Sequence, residues 1–212
     1  MSDPFIERLV GELRPVRPLA VPRRLALGLA AGAIAGALLM IGWIGLRPDF
    51  PAAFGSLVYW LKFAYTAAFA TLGFQAAVQL SRPGGRLGWT PWAMLVLFGL
   101  AVIAGVLQLM QAPPEAGRAL IMGATALVCP FLIVAVAMPI YLATIVVMRR
   151  MAPTDLTVAG LAAGLLAGGA GSWVYAFHCA EGGVPFLAIW YTAGILASGV
   201  LGALAGRYLL RW

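Results

Sequence analysis

The sequence has few side chains that could carry chemistry. Of its 212 residues, two are cysteine, one is histidine and seven are acidic, and charged residues make up 10% against 63% hydrophobic. Such a composition excludes an ordinary soluble domain. The chain also has no GxGxxG motif after a strand and no phosphate-binding loop, so a nucleotide-binding role has no support.

Charge is also scarce inside the apolar segments. A transporter of ions or polar solutes usually brings ionisable groups to the middle of the membrane, and this sequence offers almost none. Lys62, near the start of the second segment, is expected to extend its ammonium group to the outer interface. The sequence places no serine–histidine or histidine–carboxylate pair within the membrane, so nothing in it indicates a hydrolase. We therefore expect a protein that is not an enzyme.

What the chain does have is six long apolar stretches. A bilayer core of roughly 30 Å requires about 20 apolar residues per helix. The stretches lie at residues 25–46, 54–80, 91–111, 119–148, 156–178 and 185–206. They predict an all-α fold, a polytopic membrane protein with six transmembrane helices occupying residues 25–212. Residues 1–24 are predicted to form a cytoplasmic amphipathic helix followed by a proline-rich tether.

The arginines predict the orientation of these helices. With the N-terminus inside, eleven arginines lie on the cytoplasmic side and two, Arg47 and Arg118, lie in outer loops. Because short loops follow the positive-inside rule, this bias predicts that both termini are cytoplasmic. Basic flanks that face anionic lipid explain the net charge of +7 without a nucleic-acid partner.

The first residues have the pattern of a short amphipathic helix. Asp3 is a suitable N-cap, and proline at position 15 predicts the end of the helix. Its apolar positions recur at helical spacing: Phe5, Ile6, Leu9, Val10 and Leu13. Such a helix lies on a membrane surface or docks into a groove on a soluble partner. Glu7 and Glu12 on the polar face weaken the first alternative, since anionic headgroups repel them.

Small residues recur at intervals of four in three of the predicted helices. They are Gly28, Gly32 and Gly36; Gly160, Gly164, Gly168 and Ser172; and Gly194, Ser198, Gly202 and Gly206. This spacing lets membrane helices approach closely. The pattern fits packing within a monomer or between the protomers of a homodimer.

The two cysteines are predicted to lie at the same depth. At about 1.5 Å per residue, Cys129 lies about 30 Å from Arg149, and Cys179 lies about 36 Å from Asp155. Both distances reach from the inner anchors to the outer boundary of the bilayer. The short inner loop between helices four and five predicts that these two helices pack as an antiparallel pair.

Three hypotheses for the cysteines remain open. The thiols could form a redox-responsive or structural disulfide, which an oxidising compartment favours. They could bind a metal or metalloid together with His178 and Glu181, although no CxxC or HxxxH spacing supports such a site. They could also be unconnected thiols that fill space.

Three segments carry a resemblance to a known family: LVGELRPVRPL near the N-terminus, the single cysteine of the fourth helix, and HCAEGGVPFLAIWY entering the sixth. The sequence resembles the NrsF-type family of six-helix inner-membrane anti-sigma factors. The resemblance implies a multi-pass protein of the bacterial inner membrane that restrains an extracytoplasmic-function sigma factor. It also implies that Cys129 and Cys179 are the pair that responds to heavy-metal or oxidative stress.

The resemblance assigns Leu13 to Leu19 to the sigma-contacting region. Together with the apolar face of the N-terminal helix, the predicted contact residues are Phe5, Ile6, Leu9, Val10, Leu13, Arg14, Val16 and Leu19. No resident cofactor is expected, and the only ligand considered is a metal ion that binds transiently. The rival functions are a membrane thiol–disulfide protein that passes electrons to quinone and a small efflux transporter.

Overall fold

The computed structural model describes Gly11, residues 19–151 and residues 153–211, and in these residues all regular secondary structure is helical, without a strand. Six helices are long and apolar enough to cross a membrane. The helices are α1 (Ala20–Trp43), α2 (Phe50–Ala53), α3 (Leu57–Leu80), α4 (Thr90–Gln111), α5 (Gly117–Met122), α6 (Cys129–Met148), α7 (Leu156–Tyr175) and α8 (Val184–Leu209). The all-α prediction is therefore confirmed, and the predicted N-terminal helix, apart from Gly11, lies outside the described residues.

Helix α7 is the centre of the bundle. It packs against α8, α3, α6 and α1. Its first turn is capped by Asp155, whose carboxylate accepts hydrogen bonds from the backbone N–H groups of Thr157 and Val158, each at 3.0 Å. A carboxylate at this position satisfies backbone donors that have no partner within the helix.

The glycines of α7 and α8 lie directly against each other. A Cβ atom added to Gly164 would lie 2.9 Å from the Cα of Gly199, and one added to Gly202 would lie 2.8 Å from the Cα of Gly164. Helix α1 approaches α6 in the same way, because a Cβ on Gly32 would lie 2.6 Å from the Cα of Ile140. These small-residue stripes pack within one chain, so they do not require a second protomer.

Two predicted helix starts are wrong. Helix α1 begins at Ala20, within the predicted tether, and not at residue 25. The fourth apolar stretch was expected to be helical from residue 119, but the spanning helix α6 begins at Cys129. Gly123 adopts a φ of +52°, in the left-handed region, and ends the short helix α5. Hydrophobicity alone does not show this break, but Gly123 and Pro130 are a helix stop signal and a helix start signal on either side of it. Cys129 consequently lies at the start of a helix, with Pro130 in its first turn.

Three connections gather at one end of the bundle. They are residues 44–56, 112–128 and 176–183, and this end is called the thiol end because it holds Cys129 and Cys179. Glu181 of the third connection bonds to Thr125 of the second, and His178 bonds to the carbonyl of Gly45 in the first. At the opposite end, Gly84 bonds to Thr154, joining residues 81–89 to residues 149–155.

Candidate functional site

Both cysteines are buried in a single cluster at the thiol end. Cys129 has no exposed surface and Cys179 is 3% exposed, and both thiols are free. The cluster that surrounds them is rich in aromatic side chains, among them Tyr175, Phe186 and Tyr191. The structure therefore brings the two predicted residues together as free thiols, and a disulfide between them stays a prediction.

The local backbone explains how each thiol is placed. The N–H of Cys129 donates to the carbonyl of Thr125 at 2.9 Å, which starts helix α6 at this residue. The N–H of Cys179 donates to the carbonyl of Tyr175 at 3.1 Å, so the last turn of α7 continues into the connection to α8. Cys129 therefore lies at the start of α6, and Cys179 lies just beyond the end of α7.

Lys62 does not extend to the interface, and this prediction is wrong. The side chain is 1% exposed, and its Nζ donates to the carbonyl of Cys179 at 3.2 Å, to the carbonyl of Glu181, and to the Sγ of Cys179 at 3.7 Å. Nζ also lies 5.8 Å from the ring centroid of Tyr191. Buried lysines require several acceptors, and here the connection after α7 folds over the side chain and supplies them.

Arg47 is a second buried cation, which the sequence analysis treated as an ordinary loop residue. It forms an ion pair with Asp49 at 2.7 Å and also donates to the carbonyl of Cys179 at 3.3 Å. The hydrogen bonds to Asp49 raise the pKa of Arg47, and the same contact lowers the pKa of Asp49. Two cationic side chains therefore bond to the backbone of one sensing candidate.

His178 and Glu181 have structural partners. Nδ1 of His178 lies 2.9 Å from the carbonyl oxygen of Gly45. The Oε1 of Glu181 accepts from the N–H of Ala124 at 2.9 Å and from both the N–H and the hydroxyl of Thr125, at 3.1 and 2.9 Å. In residues 19–151 and 153–211, no three histidine, cysteine or acidic side chains are grouped to hold a metal ion. Metal binding by Cys129, Cys179, His178 and Glu181 stays a prediction.

The contacts of Glu181 give a first testable prediction. Glu181→Ala removes the acceptor of the N–H groups of Ala124 and Thr125, and because Ala124 is exposed and Thr125 half-buried, water replaces part of it and we expect a loss of about 0.5–1.5 kcal/mol of unfolding free energy. Glu181→Gln keeps an acceptor oxygen and should retain most of that stability. Thermal unfolding in detergent measures both variants, and equal melting temperatures for Glu181→Ala and the parent would contradict the assignment.

Two buried tyrosines complete the site, and sequence reasoning missed them. Tyr175 and Tyr191 have no exposed surface, and neither hydroxyl completes a hydrogen bond within the structure. Both side chains belong to the same buried cluster as Cys129 and Cys179. Residues Leu187–Tyr191 form a π-helical turn inside α8, a feature frequent at functional sites. The aromatic block IWY was the only available signal.

The predicted sigma-factor contacts fall almost wholly outside the described residues. Phe5, Ile6, Leu9, Val10, Leu13, Arg14 and Val16 belong to that part of the chain. Leu19 is described, precedes α1 directly and is 72% exposed. An exposed leucine at this position is available for a contact, but the contact itself stays a prediction.

Fold and site together define a class: a helical bundle with six membrane-length helices and a buried pair of free thiols at one end. The chain belongs to the family described as NrsF, negative regulator of sigma F, whose model matches residues 9–212. Its role is therefore regulatory, in agreement with the expectation of a protein that is not an enzyme.

Two relatives are similar over their whole length. The anti-sigma-F factor NrsF of Caulobacter vibrioides is 38% identical over 214 residues, covering 100% of this chain and 99% of the relative. The probable anti-sigma-F factor NrsF of Azospira oryzae is 34% identical over 212 residues, with the same coverage of both chains. No solved structure matches the chain.

Proposed function

We propose that this chain is an anti-sigma factor of the bacterial inner membrane that sequesters an extracytoplasmic-function sigma factor through its N-terminal segment. The observation that carries the proposal is the full-length similarity to two anti-sigma-F factors, at 38% and 34% identity. A family of negative regulators of sigma F requires a sigma-factor partner, and the apolar pattern of residues 5–13 suits docking into a groove.

The proposed orientation has both termini in the cytoplasm. It rests on the distribution of arginines, eleven on the cytoplasmic side against two in outer loops. In this orientation the thiol end faces the periplasm and the N-terminal segment faces the sigma factor. Arg47, one of the two outer arginines, is neutralised by its ion pair with Asp49, which further reduces the free positive charge on that side.

The thiols are the proposed sensor. A disulfide between Cys129 and Cys179, or a heavy-metal ion bound by them, changes the packing of the start of α6 and the end of α7. Because α6 packs along α1 through Gly28, Gly32 and Gly36, a shift of α6 moves the helix that leads into the N-terminal segment. This contact provides a physical route from Cys129 to Leu19. Tenfold release of the sigma factor requires a coupling of about 1.4 kcal/mol.

Affinity capture from the native host tests the proposal. The full chain, solubilised in detergent, is expected to copurify with a sigma factor identified by mass spectrometry, and Phe5/Leu9/Leu13→Ala should lose it. The matched control is Leu127/Val128/Phe131→Ala, which removes three exposed apolar side chains at the thiol end and should retain the partner. Absence of any sigma factor from the parent capture, or equal recovery with both triple variants, would refute the proposed docking.

A further inference from the structure

A groove runs between α6 and α8 towards the end of the bundle opposite the thiol end. Its volume is about 230 Å³, and it extends along α8 from Ser198 to Leu209. At about 1.5 Å per residue this stretch is about 16 Å long, which is half of a bilayer core of roughly 30 Å. The groove therefore has the length of the hydrocarbon layer of one leaflet, where the acyl chains of a lipid lie.

Small side chains make the groove deep, and larger ones form its walls. The floor is buried and consists mainly of Ala137, Ala167 and Gly202. The walls are partly exposed apolar side chains, namely Met138, Leu142, Leu201 and Leu209. Because these walls are open to the surrounding lipid, a flexible apolar chain can enter the groove from the side.

The polar groups of the lining are already paired. Among the described residues that line the groove, two have polar side chains, Tyr141 and Ser198. The Tyr141 hydroxyl donates to the carbonyl of Gly202 at 3.0 Å, and the Ser198 hydroxyl donates to the carbonyl of Gly194 at 2.9 Å. A polar ligand would lose its water and gain no hydrogen bond in return, so the groove suits an apolar occupant.

Two cations lie beside the end of the groove. Arg207 and Arg211 lie two residues before and after Leu209, and their Cζ atoms are 4.8 and 5.6 Å from the ring centroid of Tyr208. Each contact with the ring is favourable, but two cations at one ring repel each other. Both arginines are exposed, and in residues 19–151 and 153–211 neither forms an ion pair. An anion that bonds to both guanidinium groups would offset their repulsion.

A phosphate group suits this position. Arginine donates to phosphate oxygens with two parallel N–H groups, which makes the pair strong and directional. Helix α6 brings a third cation to the same end, since Arg149 follows Leu142 by seven residues and thus lies two turns further on the same face. The described carboxylate at this end, Asp155, bonds to the backbone of α7. A headgroup with an ammonium group of its own would be repelled here, so a net negative headgroup fits better.

We propose that the groove between α6 and α8, together with Arg207 and Arg211, is a binding site for an anionic phospholipid. One acyl chain lies in the groove, and the phosphate bonds to the two guanidinium groups. In the proposed orientation this lipid belongs to the cytoplasmic leaflet. The inference goes beyond the proposed function and involves neither the cysteines nor a sigma factor.

The test is lipid binding by the full chain in detergent, measured by native mass spectrometry during titration with phosphatidylglycerol or phosphatidylcholine. The parent is expected to bind phosphatidylglycerol about tenfold more tightly than phosphatidylcholine. Arg207/Arg211→Gln should weaken phosphatidylglycerol binding by about tenfold or more and leave phosphatidylcholine binding unchanged. The matched control is Arg82/Arg86→Gln, which removes two exposed arginines from the same end and should stay within about threefold of the parent.

A second variant tests the groove itself. Ala205→Leu places a larger side chain in the lining and should weaken the binding of both phospholipids by about tenfold, while the preference for phosphatidylglycerol remains. Inorganic phosphate, which has no acyl chain, should not displace the bound lipid. Thermal unfolding without added lipid verifies that each variant is folded.

Several results would overturn the proposal. Equal losses in the two arginine pairs would mean that phosphatidylglycerol responds only to the overall charge of this end. Unchanged binding in Ala205→Leu, or displacement by inorganic phosphate, would show that no acyl chain occupies the groove. A parent that is dimeric and retains no phosphatidylglycerol would show that a second copy of the chain covers it.

Discussion

Gly164→Ala is expected to lower the unfolding free energy of the bundle by about 1–3 kcal/mol, as overpacking does in a closely fitted core. The added Cβ would lie 2.9 Å from the Cα of Gly199 and closer still to the carbonyl oxygen of Ser198. Both are backbone atoms, so they cannot rotate away as a flexible side chain can. Helix α8 must move as a body, and it carries the π-helical turn and Tyr191 with it.

Gly99→Ala in α4 is the matched control, because a Cβ at this position has no atom within 4 Å. Glycine in a helix interior is less favourable than alanine by about 0.5–1 kcal/mol, so this variant should be neutral or slightly more stable. Thermal unfolding of both variants in the same detergent, followed by circular dichroism, makes the comparison. If Gly164→Ala melted no lower than Gly99→Ala, the close contact between α7 and α8 would be wrong.

The sequence predicted the helices and their close contacts well because these depend on local pattern. Apolar length identifies a spanning helix, and glycine at every fourth position identifies a face that approaches a neighbour. The pattern did not identify the neighbour. That Gly32 faces Ile140, and Gly164 faces Gly199, depends on how the helices are arranged in the bundle, which intervals of four residues do not encode.

The burial of Lys62 could not be predicted for a related reason. Its acceptors are the carbonyl groups of Cys179 and Glu181, which lie 117 and 119 residues further along the chain. The sequence alone predicts that a lysine near the start of a membrane helix reaches the interface, where water solvates its ammonium group. The connection 176–183 folds inward over the lysine and replaces that water with backbone oxygen atoms.

The role of Glu181 as a metal ligand stays a prediction. Its proximity to His178 and Cys179 in sequence suggested a ligand set, but its carboxylate turns to the backbone at Ala124 and Thr125. Gly123 explains the fit, because a Cβ there would collide with the Glu181 carboxylate. A glycine in one connection and an acid in another, 58 positions later in the sequence, have no local signature of their partnership.

Cys129→Ser and Cys179→Ser are each expected to abolish induction of sigma-dependent transcription while leaving repression intact. Serine has nearly the shape of cysteine but neither its two-electron oxidation nor its affinity for soft metals. Since the N-terminal segment is unchanged, the sigma factor should still be held in the absence of stress. A transcriptional reporter, read with and without cadmium or peroxide, measures both properties in the same cells.

Cysteine-to-alanine variants are the control, because a serine hydroxyl buried without a partner destabilises a core by about 1–3 kcal/mol. Immunoblotting verifies that every variant accumulates like the parent. Normal repression together with normal induction in either serine variant would refute the sensing role of that cysteine. If both thiols act by forming one disulfide, peroxide should fail to induce the reporter in either single variant and in the double variant, since a disulfide needs both sulfur atoms. A residual peroxide response in Cys129→Ser alone would instead indicate that oxidation of Cys179 by itself suffices for induction.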